Sequence, residues 1–277
     1  MRISHSSLTK YLECKYKWFV HYLWKLRPEG YRSPLVFGSA IDEGLNTLLE
    51  TRDLDLALNM FTEKWAPYKN KVVKYSKSDL DEHLVKDEKF KDDQEKTWTS
   101  LDRKGRMLIT EFNTQIMPRI KNVIKVQIDQ TVSNELGDEL VIKTDFICEW
   151  EDGRVILFDN KTSSVKYDAD AVQKSEQLAI YYETLKDEYN LDAAGYIVIP
   201  KAIRKKKLPV VDITVIIGDI DQETFNSTLQ AYDDVLASIK EGDFQRNRAA
   251  CYSKYGKCDY YGLCHEQSLD GLRESKR

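Results

Sequence analysis

The spacing of apolar residues changes period twice along the chain. Before about residue 125, apolar residues recur every three or four positions, which is the period of a helix with one buried face. From there to about residue 217 they alternate with polar residues or form short runs, as in strands, apart from one helical stretch. The helical period then returns. The pattern predicts helices at both ends of the chain and a sheet between them.

The first part of the chain is predicted to be helical. The predicted helices are SSLTKYLECKYKWFVHYLWKL, which starts at Ser6 and carries Cys14, a second from near Gly38, a third at 55–65, and a long amphipathic helix at 101–125. Residues at about 69–100 are highly charged and contain few aliphatic side chains. Such a composition is typical of a solvated segment, so we expect a flexible or helical surface insertion there.

The middle of the chain is predicted to form a sheet. The predicted strands are 125–132, 139–150, 154–162, 193–200 and 208–217, with helices at 168–189 and 224–240. The turn Glu151–Gly153 joins the second strand to the third, and the basic turn KAIRKKK at 201–207 joins the last two. Three strands, a helix and two more strands, with helices on either side, predict an α/β core.

Composition agrees with a folded chain. Hydrophobic residues make up 42% and charged residues 32%, with few Gly and Pro, which is typical of an ordered, helix-rich protein. No apolar run approaches the roughly 20 residues of a membrane-spanning helix. The N-terminus MRISHSSLTK lacks the apolar stretch of a signal peptide, so we expect a reducing, cytoplasmic location. Disulfides are then the weaker explanation for the five cysteines.

The net charge of −4 provides no overall attraction to nucleic acid, so such binding would need local patches. KAIRKKK has five basic residues and could contact phosphates or be ordinary surface. The first predicted helix could also take part, because its aromatic side chains could stack on unpaired bases, although packing inside the protein is the commoner role. These side chains are Tyr16, Trp18, Phe19, Tyr22 and Trp24.

Two aspartates and a lysine are the strongest candidates for chemistry. Asp145 lies in VIKTDFICEW and Asp159 in VILFDNKT, so the predicted hairpin brings both carboxylates to the same end of adjacent strands. Lys161 lies two residues after Asp159 and therefore on the same face. The carboxylates could bind Mg²⁺ or Mn²⁺, and the ammonium could orient a water and offset charge developing on a phosphate. An ordinary surface ion pair fits the same short pattern.

Three more side chains could complete this site. Gln177 and Tyr181 are four residues apart on a predicted helix and so share a face, although such a pair is also common at the edge of a core. Asp42, on the second predicted helix, could be a third metal ligand, although exposed acidic residues of helices are usually only solvated. Glu43 lies about 100° round that helix from Asp42 and is a weaker candidate.

Three cysteines lie close together near the end of the chain. CYSKYGKCDYYGLC contains Cys251, Cys258 and Cys264 within fourteen residues. Metal and cluster sites bound by thiolates commonly use four ligands, so a fourth is expected elsewhere. Cys148, inside an apolar predicted strand, is instead expected to be a buried core thiol.

Taken in order, these motifs resemble those of PD-(D/E)XK nucleases of the RecB type, which include exonucleases associated with CRISPR systems. The matching elements are Cys14 in SHSSLTKYLEC, Gly38 to Asp42, Asp145 in KTDF, DNK at 159–161, QLAIY at 177–181 and the three late cysteines. The resemblance covers nearly the whole chain. It implies a restriction-endonuclease-like α/β fold with a central mixed sheet flanked by helices, a helical insertion and a C-terminal iron–sulfur region joined to the first helix.

The resemblance also implies a domain organisation. It consists of a cysteine-bearing helix at 1–30, a helical region with the charged insertion at 31–125, the nuclease core at 126–245 and the cluster region at 246–277. In that family the first-helix cysteine and the three late ones hold a [4Fe–4S] cluster, which implies that Cys14 is the fourth ligand. By ligand count alone, zinc fits four thiolates equally well.

Roles for the other residues follow from the same resemblance. Asp145, Asp159 and the main-chain carbonyl of Asn160 would bind Mg²⁺ or Mn²⁺, Lys161 would serve the attacking water, and Gln177 with Tyr181 would steady Lys161 and the substrate. Asp42 stands where the family has a histidine ligand, so activity or metal preference could differ.

The function that the resemblance predicts is metal-dependent DNA hydrolysis. The chain would be an exonuclease on single-stranded DNA or DNA ends, serving repair, recombination or the genome processing of a virus or mobile element. An alternative is a non-catalytic DNA-binding or assembly module acting with a helicase or integrase partner. The intact Asp145, Asp159 and Lys161 argue against that alternative, whereas Asp42 argues mildly for it. A third interpretation is a zinc-bound structural protein.

Overall fold

The computed structural model describes residues 1–76, 78–86, 89–133, 137–201, 211–253 and 256–275. Its helices are α1 (His5–Glu13), α2 (Lys15–Tyr22), α3 (Ser33–Thr51), α4 (Leu54–Trp65), α5 (Asp93–Gln115), α6 (Glu176–Tyr189) and α7 (Gln222–Lys240). Its strands are β1 (Arg2–Ser4), β2 (Leu26–Pro28), β3 (Tyr31–Arg32), β4 (Val73–Lys74), β5 (Ile120–Ser133), β6 (Glu139–Trp150), β7 (Val155–Ser163), β8 (Ala193–Pro200), β9 (Thr214–Gly218), β10 (Tyr252–Ser253), β11 (Gly256–Lys257) and β12 (Leu272–Glu274). Of the helices described, none is both long and apolar enough to cross a membrane.

Contacts divide the chain into two compact units. Unit 1 contains Met1–Glu29, Gln130–Ile142 and Phe225–Arg277. Unit 2 contains Gly30–Asp129 and Lys143–Thr224. The acidic motif therefore belongs to unit 2, and the cysteines other than Cys148 belong to unit 1.

Unit 2 is built on a mixed sheet. β6 and β7 are antiparallel, β7 and β8 are parallel, β8 and β9 are antiparallel, and β5 pairs with β6. Gly153 closes the predicted hairpin between β6 and β7 with a φ of +90°, a backbone conformation that glycine adopts without steric cost. The predicted α/β class, with a central mixed sheet flanked by helices, is confirmed.

Helices α3, α4 and α5 share one hydrophobic core with a face of this sheet. Phe146 and Cys148 of β6 and Phe158 of β7 lie in the same cluster as Phe37 of α3 and Phe61 of α4. The prediction that Cys148 is a core thiol is confirmed, since the residue is fully buried. Side chains alternate between the two faces along a strand. Asp159 and Lys161 therefore lie on the face of the sheet opposite to Phe158, where α6 contacts β7 and β8.

Unit 1 joins the first two helices to the segment that follows α7. The Tyr11 hydroxyl of α1 donates a hydrogen bond to the carbonyl of Asp243 at 2.6 Å, and the Tyr16 amide of α2 donates to the carbonyl of Gln245 at 3.1 Å. Strand β2 pairs with β12, and β1 pairs with the beginning of β6. Residues from both ends of the chain thus form this unit.

The single first helix predicted from Ser6 is wrong, because the chain forms two helices separated at Cys14. The backbone of Cys14 is extended, with φ −162° and ψ 112°, and it serves as the end of α1 and the start of α2. The Tyr16 amide bonds to Gln245 instead of continuing the first helix. Apolar spacing continues across the break, so the pattern alone does not reveal it.

The long helix predicted at 101–125 is also wrong at both ends. Helix α5 begins earlier, where the Asp92 carboxylate accepts a hydrogen bond from the Glu95 amide at 2.8 Å. Its first turns bury the polar residues Thr97, Ser100 and Lys104, which obscure the helical period. The helix ends before Pro118, which cannot continue it, and β5 then starts at Ile120.

The segment predicted as a surface insertion is attached to unit 2 over the part that the structure describes. Strand β4 pairs with β3, and the buried Asp79 carboxylate accepts hydrogen bonds from the Ser33 hydroxyl and the Ser76 amide. Val85 is almost completely buried.

Helix α6 starts at Glu176, later than predicted. Most of KAIRKKK lies outside the described residues.

Close packing between α4 and α5 gives a stability prediction. A Cβ atom added at Gly105 would overlap the ring of Phe61, which is fully buried. Although alanine favours helix by about 1 kcal/mol over glycine, overpacking typically costs about 1–3 kcal/mol or more. We therefore expect Gly105→Ala to lower the free energy of unfolding, measured by urea denaturation.

Gly38→Ala provides the matched control. A Cβ at Gly38 in α3 meets only the Thr162 hydroxyl, at 3.8 Å, so this variant should be as stable as the parent or more stable by up to about 1 kcal/mol. Equal unfolding midpoints for the two variants would contradict the packing described.

Candidate active site

The hairpin β6–β7 opens at the point where the two predicted aspartates lie. Its backbone pairs run from Glu149 opposite Val155 to Phe146 opposite Phe158, and Asp145 and Asp159 come next on each strand. There the Asp145 carboxylate accepts a hydrogen bond from the amide of Asn160 at 2.6 Å. A side chain thus satisfies the main chain of β7, and this frees the end of the hairpin to form a site.

Asp159 and Lys161 form an ion pair on the face of β7 opposite the core. Lys161 Nζ lies 2.6 Å from Asp159 Oδ2, and only 4% of Asp159 is exposed. β7 remains paired with β8 through this region, so the backbone that carries both residues is fixed. A buried carboxylate is stable only with such compensation, and the lysine provides it.

Helix α6 adds a glutamine that contacts both members of this pair. Lys161 Nζ donates to Gln177 Oε1 at 3.1 Å, and Gln177 Nε2 donates to Asp159 Oδ1 at 3.2 Å. Tyr181, one turn later and nearly buried, has its hydroxyl 3.3 Å from Gln177 Nε2. Tyr181 therefore contacts Gln177, which in turn contacts Lys161.

Asp42 of α3 and Asp145 line one cleft of about 360 Å³. Glu43 lines it too, but its carboxylate lies 3.5 Å from Lys64 Nζ. The remaining lining residues are Ser39, Asn46, Gln127, Ile128, Asp129, Lys143 and Thr144. The structure thus brings the predicted third acidic ligand to the same cleft as Asp145.

The acidic groups strongly affect one another. Burial raises the pKa of Asp145 to about 8, and the charges of Asp159 and Asp42 add to this effect. Burial and the Asp159 charge raise the pKa of Asp42 to about 6, and burial also raises the pKa of Asp159. Burial disfavours the charged form of Lys161, but the Asp159 carboxylate outweighs it and raises the pKa of the ammonium. Three carboxylates thus lie close enough to affect one another, and the charges of Lys161 and Lys201 partly oppose the rise in the pKa of Asp42.

This set of donors suits a divalent cation. Buried carboxylates that repel each other are relieved by a cation, and Mg²⁺ or Mn²⁺ prefers such oxygen ligands. Asn160 Oδ1 is a further buried oxygen without a hydrogen-bond partner. In the described part of the chain, no three His, Cys, Asp or Glu side chains are already arranged to hold a metal ion. Mg²⁺ commonly uses only one or two carboxylates together with water and substrate phosphate oxygens.

The four predicted cluster cysteines lie together in unit 1. Cys14, Cys251, Cys258 and Cys264 are free thiols that line one small cavity. The same cavity is lined by Tyr16, Lys17, Arg246, Asn247, Arg248, Ala250, Tyr260 and Tyr261. The Asn247 amide lies 3.4 Å from Cys14 Sγ, and His265 Nε2 lies 3.3 Å from Cys251 Sγ. His265, which the sequence alone does not distinguish, is thus a neighbour of this cavity.

Two residues that support the site are absent from the sequence prediction. Tyr196 of β8 is opposite Asp159 in the strand register, and Lys161 Nζ lies 5.8 Å from the centre of its ring. The Tyr196 hydroxyl lies 2.6 Å from Ser175 Oγ, which also caps α6, the helix that carries Gln177. A serine ahead of EQL is a helix-start signal, so the capping role of Ser175 could be predicted from the sequence. Tyr196 has the single side-chain hydroxyl in AAGYIVIP, so its polarity in an apolar strand was also visible.

Gln127 is a third such residue and has no sequence signal. It lines the cleft and has a φ of +50° within β5, a conformation that is uncommon for residues other than glycine. Such a distortion in a strand redirects side chains and is frequent near functional sites.

The raised pKa of Asp145 gives a testable effect on stability. A carboxyl group whose pKa is raised by folding destabilises the native state increasingly as the pH rises from about 4 toward 8. Without divalent metal, Asp145→Asn should therefore be more stable than the parent by on the order of several kcal/mol at pH 8, with a smaller gap at pH 5. Thermal unfolding in chelator at both values measures this.

Asp129→Asn is the matched control from the same cleft. Asp129 forms an exposed ion pair with Lys143 at 2.6 Å, and such pairs contribute little, so stability should change little at either pH. A stability gap for Asp145→Asn that is absent, or equal at both pH values, would contradict the electrostatic description.

Comparison with solved structures agrees with the fold. A solved structure of a candidate exonuclease from Eubacterium rectale superposes with a TM-score of 0.55 at 13% identity, covering 96% of this chain and 88% of that one. At this identity the likeness extends to the fold alone. A second structure, SSO0001, has 14% identity, covers 95% of this chain and 96% of that one, and has a TM-score of 0.35, which is too low to support an argument. No curated protein matches the sequence.

The sequence pattern of one family covers almost the whole chain. The description of that family is PD-(D/E)XK nuclease superfamily, and the match extends over residues 2–265. This span includes the opened hairpin, the aspartate–lysine pair and all the cysteines. The chain therefore belongs to the PD-(D/E)XK nuclease superfamily.

Proposed function

We propose that the protein is a metal-dependent DNA nuclease that acts as an exonuclease on single-stranded DNA or DNA ends. The observation that carries this proposal is the buried Asp159–Lys161 pair, contacted by Gln177 and lying next to Asp145 at the opened end of a hairpin. Family membership supports hydrolysis of phosphodiesters. The fold is similar to that of a candidate exonuclease, and this similarity of fold supports an exonuclease that acts on DNA ends.

We assign the metal ligands to the acidic residues of this site. Asp145 and Asp159 would hold Mg²⁺ or Mn²⁺, with Asp42 from the cleft and the main-chain carbonyl of Asn160 as further ligands. When bound, the metal would polarise the phosphate and lower the pKa of a water. Asp42 replaces a histidine of the family pattern with a harder oxygen ligand, which suits Mg²⁺ and Mn²⁺.

Lys161 would act on the attacking water and on the charge that develops on the phosphate. Its ammonium is held by Asp159 and Gln177, so it is oriented before substrate arrives. Gln177 would keep the ammonium aligned when Asp159 binds metal, because it contacts both residues. Tyr181 would steady Gln177 through their contact.

We further propose that Cys14, Cys251, Cys258 and Cys264 hold a [4Fe–4S] cluster. The support is that four free thiols from distant parts of the chain line one cavity. The cysteine spacing contains none of the C-x-x-C pairs that are common in zinc sites, which favours the cluster over zinc. The cluster would be structural, because hydrolysis needs no electron transfer.

The biological setting is proposed by analogy alone. Repair, recombination or processing of a viral or mobile genome would suit such an enzyme, with a helicase or recombination partner, in a reducing cytoplasm that keeps the thiols from forming disulfides.

The nuclease proposal is tested with end-labelled single-stranded and duplex DNA in Mg²⁺ or Mn²⁺. We expect the parent to cleave, and Lys161→Ala to reduce the rate at least about 100-fold, the size expected for loss of an electrostatic group. Lys174→Ala is the matched control, since Lys174 is an exposed lysine that forms an ion pair with Asp170, and it should keep full activity. Circular single-stranded DNA should resist an exonuclease.

Two results would count against this proposal. Cleavage of circular DNA would contradict the exonuclease assignment. No cleavage by the parent with either metal, together with DNA binding, would contradict the enzyme and favour the non-catalytic module.

The cluster proposal is tested by colour and metal content. Anaerobically purified parent should be brown and contain about four iron and four sulfide per chain, and Cys258→Ser should lose most of both. Cys148→Ala removes a thiol from the core of unit 2 and should keep the colour. A colourless parent containing zinc would contradict the cluster.

A further inference from the structure

Unit 1 has an aromatic cluster at its surface that the proposed active site does not use. Trp24, just after α2, is 47% exposed, and its ring centre lies 4.9 Å from that of Phe19 and 6.3 Å from that of Tyr16. Phe19 in turn lies 4.6 Å from Phe244. Four rings thus form a continuous cluster, with a large indole at its exposed edge.

Arginine side chains lie beside this cluster. The Arg246 guanidinium is 4.8 Å from the centre of the Tyr16 ring, and Arg246 and Arg248 are both exposed. The nearby carboxylates of Glu13 and Asp243 are each paired with a lysine. In the part of the chain that the structure describes, neither arginine forms an ion pair, so their charges remain available to an anion.

The backbone holds these side chains in place without a ligand. The Tyr16 amide donates to the carbonyl of Gln245, which joins α2 to the segment that carries Phe244 and Arg246, at 3.1 Å. The Trp24 amide donates to the carbonyl of Phe19, also at 3.1 Å. A ligand that stacks on a preorganised ring loses less conformational entropy on binding.

We propose that this aromatic–arginine surface binds an unpaired nucleic-acid strand. The surface consists of Tyr16, Phe19, Trp24, Phe244, Arg246 and Arg248. A base would stack on Trp24 and the neighbouring phosphates would contact the arginines, because flat apolar rings next to unpaired cations match a strand of flat bases and anionic phosphates. A protein partner would also cover an exposed tryptophan, but the free arginines favour an anionic ligand.

The inference rests on the proposed function only for the choice of nucleic acid as the ligand. It concerns binding by unit 1 and requires no catalysis. It is therefore tested in the Lys161→Ala background with chelator present, where no cleavage is expected. The probe is a fluorescein-labelled mixed-sequence oligonucleotide, used as a single strand and as a blunt duplex, with binding followed by anisotropy.

Trp24→Ala should weaken binding of the single strand about 5- to 150-fold, which corresponds to about 1–3 kcal/mol for one stacked base. Trp24→Phe keeps a stacking ring and should recover most of the affinity. Leu35→Ala removes an exposed apolar side chain from unit 2 and should have no effect. Circular dichroism and the unfolding midpoint confirm that each variant is folded.

Arg246→Gln separates the phosphate contact from stacking. It should weaken binding and reduce the slope of log affinity against log salt by about 0.7, the value for one phosphate contact on a single strand. Lys89→Gln removes an exposed charge from unit 2 and should leave the slope unchanged.

Two outcomes would overturn the inference. The first is binding of the single strand that Trp24→Ala leaves unchanged, which would leave a protein partner as the occupant of the surface. The second is an equal loss for the blunt duplex, whose bases are already stacked, since that would indicate a phosphate contact alone. A parent that binds through Trp24 but does not cleave would contradict only the nuclease proposal.

Discussion

The candidate site depends on one interaction, the ion pair between Asp159 and Lys161 at the end of β7. Asp159 is almost completely buried, and an uncompensated charge in that position would cost several kcal/mol, of the order found when one partner of a buried pair is removed. The first turn of α6 supports the pair, because Gln177 contacts both of its members. Ser175 and Tyr196 then hold that helix start against β8.

Asp42 and Asp145 add two more carboxylates beside Asp159. Burial raises the pKa of both groups, and repulsion from the neighbouring carboxylates adds to the effect. Buried carboxylates that repel one another destabilise this part of the fold and favour the binding of a cation. The strand ladder ends at Phe146 and Phe158, and this leaves the Asp145 carboxylate free to bond Asn160 and face the cleft. Stability is thus given up locally where the proposed chemistry takes place, a pattern common at active sites.

Unit 1 has a different physical basis. It brings Cys14 and the late cysteines to one cavity, and it does so with hydrogen bonds between α2 and the segment after α7. The break at Cys14 leaves its backbone extended and places its thiol in the cavity wall. The same contacts hold the aromatic–arginine surface in place. A proposed cluster and a proposed strand-binding surface would therefore share one support.

The sequence by itself determined the order of the main strands of the sheet and which residues of β6 and β7 lie together at the candidate site. Short apolar runs marked β6 and β7, a turn with glycine joined them, and the spacing of Asp159 and Lys161 placed both on one face, because these are local properties of a strand. Cys148 was identifiable as a core residue for the same reason. The family motifs added Asp42, Gln177 and Tyr181, whose side chains the structure brings to the same region.

Only the tertiary structure decided the break at Cys14, the early start of α5 and the contacts of Tyr196. At Cys14 a distant carbonyl, that of Gln245, replaces a helical hydrogen bond. In α5 the buried face is partly polar, since Lys104 donates to main-chain carbonyls of a segment about 25 residues away in sequence. Local periodicity reports which residues share a face, but it carries no information about what that face meets, and these features depend on partners far along the chain.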